Sequence, residues 1–220
     1  MGTVIFMLGL PGSGKSSASR HIIEFAEKNN WEIKRFRDYK ILFIKFLADR
    51  EHKRFRSTEY GGFDMLDHTV LDEALEKLNH RIEQPKQSVD SNKELLVIEF
   101  SRNDYCKALS FFSSHVLKDA YFLFIDAADI QTCIRRIKKR VTKPTEERTE
   151  DDNDVSEFIF ETYYSRDHGR YLELVAPQMR EQFDIRRENI HVIENGSEVS
   201  EEEFHKRITA FAINNLRLNI

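Results

Sequence analysis

The chain is poor in cysteine: Cys106 and Cys133 are the only two in 220 residues, and no short spacing links them. A disulfide framework and a thiol-based zinc site are not suggested, and both thiols are expected to be buried and reduced. No apolar run approaches the length of a membrane span. The amino terminus lacks a basic flank and a small-residue cleavage site, so a cytoplasmic protein is expected. Gly2 does not open a myristoylation motif, because Phe6 stands where Ser or Thr is required. "NGS" at Asn195 matches a glycosylation acceptor, but without a secretory signal it is read as a turn. The eight histidines form no H-E-x-x-H or ligand cluster, and no metal is assigned to them. Excess charge of one sign is missing too: a formal charge of -4 and a pI near 6.1 offer no global attraction to a polyphosphate chain. Any anionic ligand must be held by a local cluster.

What is present describes an ordinary soluble chain, 40% hydrophobic and 33% charged, with no internal repeat or low-complexity block. Its length favours one main domain over residues 1–220. Apolar runs alternate with amphipathic stretches, which predicts a parallel sheet covered by helices on both faces. "TVIFML" (3–8), "ELLVIEF" (94–100) and "YFLFIDA" (121–127) are continuous enough to be buried strands. "WEIKRF" (31–36) alternates and suits a less buried strand, and "IHVIEN" (190–195) is the fifth. A first helix is expected over 15–28, burying Ala18, Ile22, Phe25 and Ala26. The closing helix starts at a capping box, Ser200 with Glu203, and presents Phe204, Ile208, Phe211 and Leu216. Two segments break the alternation: residues 38–93, and the polar stretch "VTKPTEERTEDDND" (141–154).

The stretch "GLPGSGKSS", residues 9–17, sits between the first strand and the first helix. Gly9, Gly14, Lys15 and Ser16 satisfy the P-loop pattern, and Pro11, Gly12, Ser13 and Ser17 complete the segment. Small residues let successive backbone N–H groups wrap a β-phosphate at a helix N-terminus. Lys15 would reach the β- and γ-phosphates, and the Ser16 hydroxyl would bind Mg²⁺. Ligands of open parallel sheets bind at the carboxyl ends of strands, so the acids there are the next residues to inspect. Glu99, closing the third run, takes the position of a magnesium-holding carboxylate, and Arg102 would face the same cleft and contact an acceptor. Asp126 ranks behind Glu99, and Asp104 reads as the cap of the helix "YCKALSFFSSHVL". Asp38, after the second strand, either orients an acceptor hydroxyl, meeting an anionic substrate together with Arg37, or caps the next helix. In "EYGGFDML", Tyr60 and Phe63 either stack on a ring of the acceptor or form a small core, followed by a helix over 64–83.

No D-x-x-G loop is present, and "NKEL" at Asn92 lacks the aspartate of a GTPase base reader. The motif and element order resemble the P-loop kinase family that includes nucleoside monophosphate kinases such as adenylate kinase, and more distantly gluconate, uridine and polynucleotide 5′-hydroxyl kinases. The resemblance covers most of the chain in element order, although only "GLPGSGKS" is a tight motif match. It implies a three-layer αβα fold with strand order 2-3-1-4-5, an acceptor-side insertion at 38–93 and a lid at 141–154. In such kinases of hydroxyl acceptors an aspartate at the place of Asp38 acts as base. "IRRIKKRV" puts Arg136 and Arg140 on one helix face, suited to close over a transferring phosphoryl group, while Arg135 points away. Arg148, before Asp151 and Asp152, is similar to the R-x-D-D pattern that follows the lid of adenylate kinases, with one extra residue. The alternative for these arginines is a solvated basic face paired with Glu146, Glu147 and Glu150. The family's further arginine after the lid is displaced here, with Arg166 as a substitute. The expected activity is transfer of phosphate from ATP with Mg²⁺ to a small metabolite or nucleotide-like acceptor, the base read near Asn195 to Ser197. A polynucleotide 5′-hydroxyl acceptor and a non-transferring nucleotide-binding regulator are the alternatives.

Overall fold

After Thr3 the first apolar run has no polar residue until the glycine-rich loop, and a strand covered on both faces can bury such a sequence. In the computed structural model, which describes residues 2–84, 93–149, 151–164 and 169–216, this run is β1 (Thr3–Leu8). Along the chain follow α1 (Lys15–Lys28), β2 (Glu32–Arg37), α2 (Asp38–Ala48), β3 (Phe55–Ser57), β4 (Phe63–Met65), α3 (Thr69–Glu83) and β5 (Glu94–Glu99). The second half holds α4 (Tyr105–Leu109), α5 (Ser114–Leu117), β6 (Tyr121–Asp126), α6 (Ile130–Val141), α7 (Glu157–Thr162), α8 (Ala176–Phe183), β7 (Ile190–Glu194) and α9 (Glu201–Leu216).

The main sheet has the order β2-β5-β1-β6-β7 and every pairing in it is parallel. Counted in chain order within this sheet, that is the expected 2-3-1-4-5. The alternation of side chains along β1 divides the core. Val4, Phe6 and Leu8 join Ile98, Phe122 and Phe124 on the face covered by α3, α4 and α6. Ile5 and Met7 join Val97, Leu123 and Ile125 beneath α1 and α9. Phe6 is fully buried and stacks on Phe122 with ring centroids 5.1 Å apart. Truncating it to alanine would cost roughly 3–5 kcal/mol.

Register places the site. Met7 and Arg37 both lie opposite Glu99, so β1, β2 and β5 end at one level. The loops that follow them therefore open on a common edge.

Several local expectations shift. The second strand begins one residue later than read, at Glu32. Instead of a helix from residue 64, β3 and β4 form an antiparallel pair, and α3 begins only at Thr69, whose N–H and hydroxyl both donate to Asp67 Oδ1. Strands of three residues are too short to show a period, so the hairpin was not legible. The helix after Asp104 breaks into α4 and α5, although Asp104 Oδ1 does accept the Lys107 N–H at 2.8 Å. At the closing helix Ser200 Oγ accepts the Glu203 N–H at 3.2 Å, half of the expected capping box. Both cysteines are buried and free. Among the described residues no helix is long and apolar enough to cross a membrane. Asn92, Glu150 and Arg166 lie outside the described residues.

Candidate functional site

Gly9, Gly12 and Gly14 all have positive φ, at 134°, 78° and 111°. Each is also hemmed in: an added Cβ would come within 2.4 Å of Ile125 O at Gly9, 2.6 Å of Cys133 O at Gly12 and 2.4 Å of Asn195 Nδ2 at Gly14. A side chain at any of the three would be strained and would also collide. Helix α1 opens directly after Gly14, and its first internal bond is from Ala18 N–H to Gly14 O at 3.0 Å. The N–H groups ahead of Ala18 have no partner inside the helix, which is the arrangement that binds anions. The loop is braced from behind. Gly9 N–H donates to the buried Tyr105 hydroxyl at 2.8 Å, and Asn195 Nδ2 donates to Ser13 O at 2.7 Å. Ser13 Oγ is buried without a hydrogen-bond partner among the described residues.

Lys15 folds back over this loop. Its Nζ donates to Gly9 O at 3.0 Å and Leu10 O at 2.7 Å, leaving the third of its donors for a ligand. Burial pulls its pKa down to about 8, against the opposing charge of Glu99. A desolvated ammonium of this kind gains strongly from an incoming phosphate.

Glu99 lies at the centre of the strand ends. Its Oε1 accepts the Ser16 hydroxyl at 2.6 Å, and its Oε2 accepts from Arg35 at 2.8 Å and Ser19 at 3.2 Å. Burial works to raise the carboxyl, but Arg35, Lys15 and the Ser16 bond outweigh it and hold it below its ordinary range. It is thus an anion at neutral pH. A hydroxyl and a carboxylate in contact at a phosphate loop suit Mg²⁺, which takes few protein ligands and completes its shell with water and phosphate oxygens. Asp126, the lower-ranked acid, accepts the Ala128 N–H at 2.9 Å and serves its own turn.

On the insertion side, Asp38 is the first residue of α2, and Arg37 holds the cap position. The capping alternative for Asp38 is therefore not what its side chain does. Its Oδ2 accepts from Arg102 Nη1 at 2.6 Å, and Arg102 also donates to Ser101 O at 2.6 Å and Leu71 O at 2.8 Å. Burial raises the Asp38 pKa, with Arg102 pulling the other way. Arg102, expected to contact an acceptor, is only 4% exposed; it lines the same cavity as Asp38, its Nη groups engaged by Asp38 and two carbonyls while its Nε has no hydrogen-bond partner among the described residues. It anchors the aspartate to α3.

Lys15, Ser16, Asp38, Glu99 and Arg140 line one cavity of about 130 Å³. Asp151, Asn153, Asp154 and Val155 of the polar segment form part of its wall. The two helix arginines part company. Arg140 lines the cavity and donates to Asn153 O at 3.2 and 2.5 Å, whereas Arg136 donates to Asn195 O at 2.8 Å and Gly196 O at 3.0 Å and lies outside the lining. Burial lowers the pKa of both. Arg135 is exposed as expected. Arg148 is also outside the cavity, its Nε donating to Lys143 O at 3.0 Å, whereas Asp151 lines it. Ser17 turns its hydroxyl toward His205 of α9 at 3.3 Å, so only its backbone faces the loop side. Tyr60 is exposed at the hairpin turn, while Phe63 is buried beside Phe46 and Phe55. Phe63 thus belongs to the small core of the insertion and also lines the cavity, while Tyr60 lies outside that lining.

Sequence reasoning missed Asn195 as a brace, Tyr105 as a partner of Gly9, and the cluster of Arg20, Arg35 and Arg37 on Asp151. Only the last had a signal: Arg35 and Arg37 have the same parity on a strand and so share a face.

No family model and no curated relative matches the sequence. Among solved structures, Kti12 of Chaetomium thermophilum in complex with ADP-AlF3 superposes with a TM-score of 0.52 at 13% identity, covering 94% of this chain and 96% of that one. A sugar kinase from Janibacter sp. gives 0.47 at 12% identity over 100% and 99% of the two chains. A gluconokinase from Sinorhizobium meliloti gives 0.43 at 13% identity over 100% and 98%. The chain shares the αβα fold of the P-loop nucleotide-binding proteins.

Proposed function

We propose that this protein is an ATP- and Mg²⁺-dependent phosphotransferase acting on a small hydroxyl-bearing or nucleotide-like metabolite. The observation that carries the reading is the convergence of Lys15, Ser16, Glu99, Arg140 and Asp38 on one cavity at the strand ends. That the Kti12 structure of the same fold is a complex with ADP-AlF3 supports nucleotide binding here. The loop amides and Lys15 hold the triphosphate. Ser16 and Glu99 hold Mg²⁺, which when bound neutralises charge developing on the phosphate oxygens. Arg140 reaches the same space and stabilises the transferring group through its planar donors.

Asp38 accepts the proton of the attacking hydroxyl through Oδ1, since Arg102 holds Oδ2. Its burial favours this, because a carboxylate raised toward neutrality is a stronger base. The insertion and the polar segment exclude water, which would otherwise compete as an acceptor. The test is a screen of labelled ATP against nucleosides, nucleotides, sugars and vitamins, run beside calorimetric titration of Mg–ATP. Asp38→Asn should keep its Mg–ATP affinity and lose about 10²–10⁴-fold in transfer. Absence of Mg–ATP binding by folded wild-type protein would refute the reading.

A further inference from the structure

Asp151 stands on the polar segment after α6, is only 7% exposed, and meets three guanidinium groups: Arg20 from α1, and Arg35 and Arg37 from β2. Arg35 Nη2 lies 3.3 Å from Oδ1 and Nη1 lies 3.5 Å from Oδ2. Arg35 also bonds Glu99, so the cluster is continuous with the magnesium-binding carboxylate. A latch for the segment would need one arginine. Three in a partly desolvated place repel one another, and the carboxylate that all three share, with Glu99 beside Arg35, offsets that repulsion. A carboxylate presents two oxygens in a plane, the same edge that a phosphate or carboxylate of a small molecule presents to arginine.

The cluster also lies where an acceptor must lie. Arg37 and Asp151 line the cavity shared by Lys15, Ser16 and Asp38, and Arg37 immediately precedes Asp38. Because Arg35 and Arg37 share one strand face, both point to the same anion.

We propose that Arg20, Arg35 and Arg37 form the binding site for an anionic group of the acceptor, a phosphate or a carboxylate, and that Asp151 is its intramolecular occupant, exchanged when the acceptor binds. This rests on the phosphotransferase reading of the same cavity. It narrows the acceptor to a molecule with an anion beside its reacting hydroxyl. The carboxylate of Asp151 lowers the apparent affinity for that anion, as any occupant reduces the fraction of competent sites.

The test is calorimetric titration of the full chain carrying Lys15→Ala, which weakens the phosphate loop and leaves its backbone contribution common to every variant compared, with inorganic phosphate in one arm and acetate in the other. Adding Asp151→Asn should tighten binding of one of the two anions about tenfold or more. The preferred anion then assigns a phosphorylated or a carboxylated acceptor. Adding Arg20→Gln, at the half-exposed rim of the cluster, should weaken that binding about tenfold. Equal affinity with Asp and Asn at position 151, or no anion binding by either, would overturn the proposal and leave Asp151 a strut. If melting curves show that the Asn variant does not fold, the Arg20→Gln arm decides alone: a loss supports the site and unchanged affinity overturns it. Neither ATP nor transfer enters these titrations, so this proposal can fail while Mg–ATP binding stands, and the reverse.

Discussion

Lys15 gives the sharpest test of the phosphate loop, because its charge is held in place at the expense of stability. Burial brings its pKa from 10.5 down to about 8. The folded chain therefore releases this proton from about pH 8 upward, while the unfolded chain keeps it to about pH 10.5. Between those values the unfolded state binds more protons, so stability must rise with pH there. Integrating the difference in bound protons from pH 7 to pH 10 gives about 2.5 kcal/mol of stability gained by the wild type over Lys15→Met. Other titrating groups are common to both proteins and cancel. For a chain of 220 residues this corresponds to roughly 5–10 °C in Tm. Parallel urea or thermal unfolding of the two proteins at several pH values reads it directly. At pH 7 the buried charge costs about 3 kcal/mol, comparable to the two hydrogen bonds that methionine removes, so the proteins should differ little there. Saturating Mg–ATP should flatten the wild-type gain, since bound phosphate holds the proton. A difference that is flat within about 0.5 kcal/mol, or that falls with pH, would refute the idea that Lys15 is a desolvated cation awaiting an anion.

Four further outcomes are expected. Glu99→Gln should weaken the Mg²⁺ dependence of ATP binding about 10–100-fold while ATP alone binds as before, measured by titration with and without the metal. Gly12→Ala, which combines φ of 78° with a Cβ 2.6 Å from Cys133 O, should destabilise by about 3 kcal/mol or more in denaturant unfolding. Gly61→Ala, at φ of 79° but in open space, should cost only about 1 kcal/mol, separating collision from backbone strain. Asn195→Ala should lower Mg–ATP affinity roughly tenfold by removing the shorter of the two hydrogen bonds to Ser13 O and leaving only the 3.4 Å one from Arg136, with far-UV circular dichroism unchanged.

Much of the cofactor side is a local matter and could be read in order. The glycines at 9, 12 and 14 are contiguous with the lysine and serine they serve, and each answers to a positive φ. The apolar runs at 94–100 and 121–127 carry an acid where their strands end, at Glu99 and Asp126, because burial on both faces leaves little freedom of assignment. The acceptor side was less legible. Arg102 and Asp38 are separated by 64 positions, and only the neighbouring ends of β2 and β5 bring them to 2.6 Å. Arg136 and Arg140 share a helix face, yet one braces the turn at Asn195 and the other enters the cavity, a division set by what packs against each end of α6.

By itself the sequence determined the strand order's raw material: where the chain can be buried, where only glycine is tolerated, and which cation and hydroxyl follow. These are properties of neighbours along the chain, fixed by sterics and hydrophobic period. Only the tertiary structure decided that positions 20, 35, 37 and 151 would share one buried anion, and that Glu99 would stand between them and Ser16. Parallel register aligned Arg35 and Arg37 with Glu99, and the packing of α1 and of the segment after α6 brought Arg20 and Asp151 to them; such contacts are a contest among all elements at once, which no single stretch of residues records.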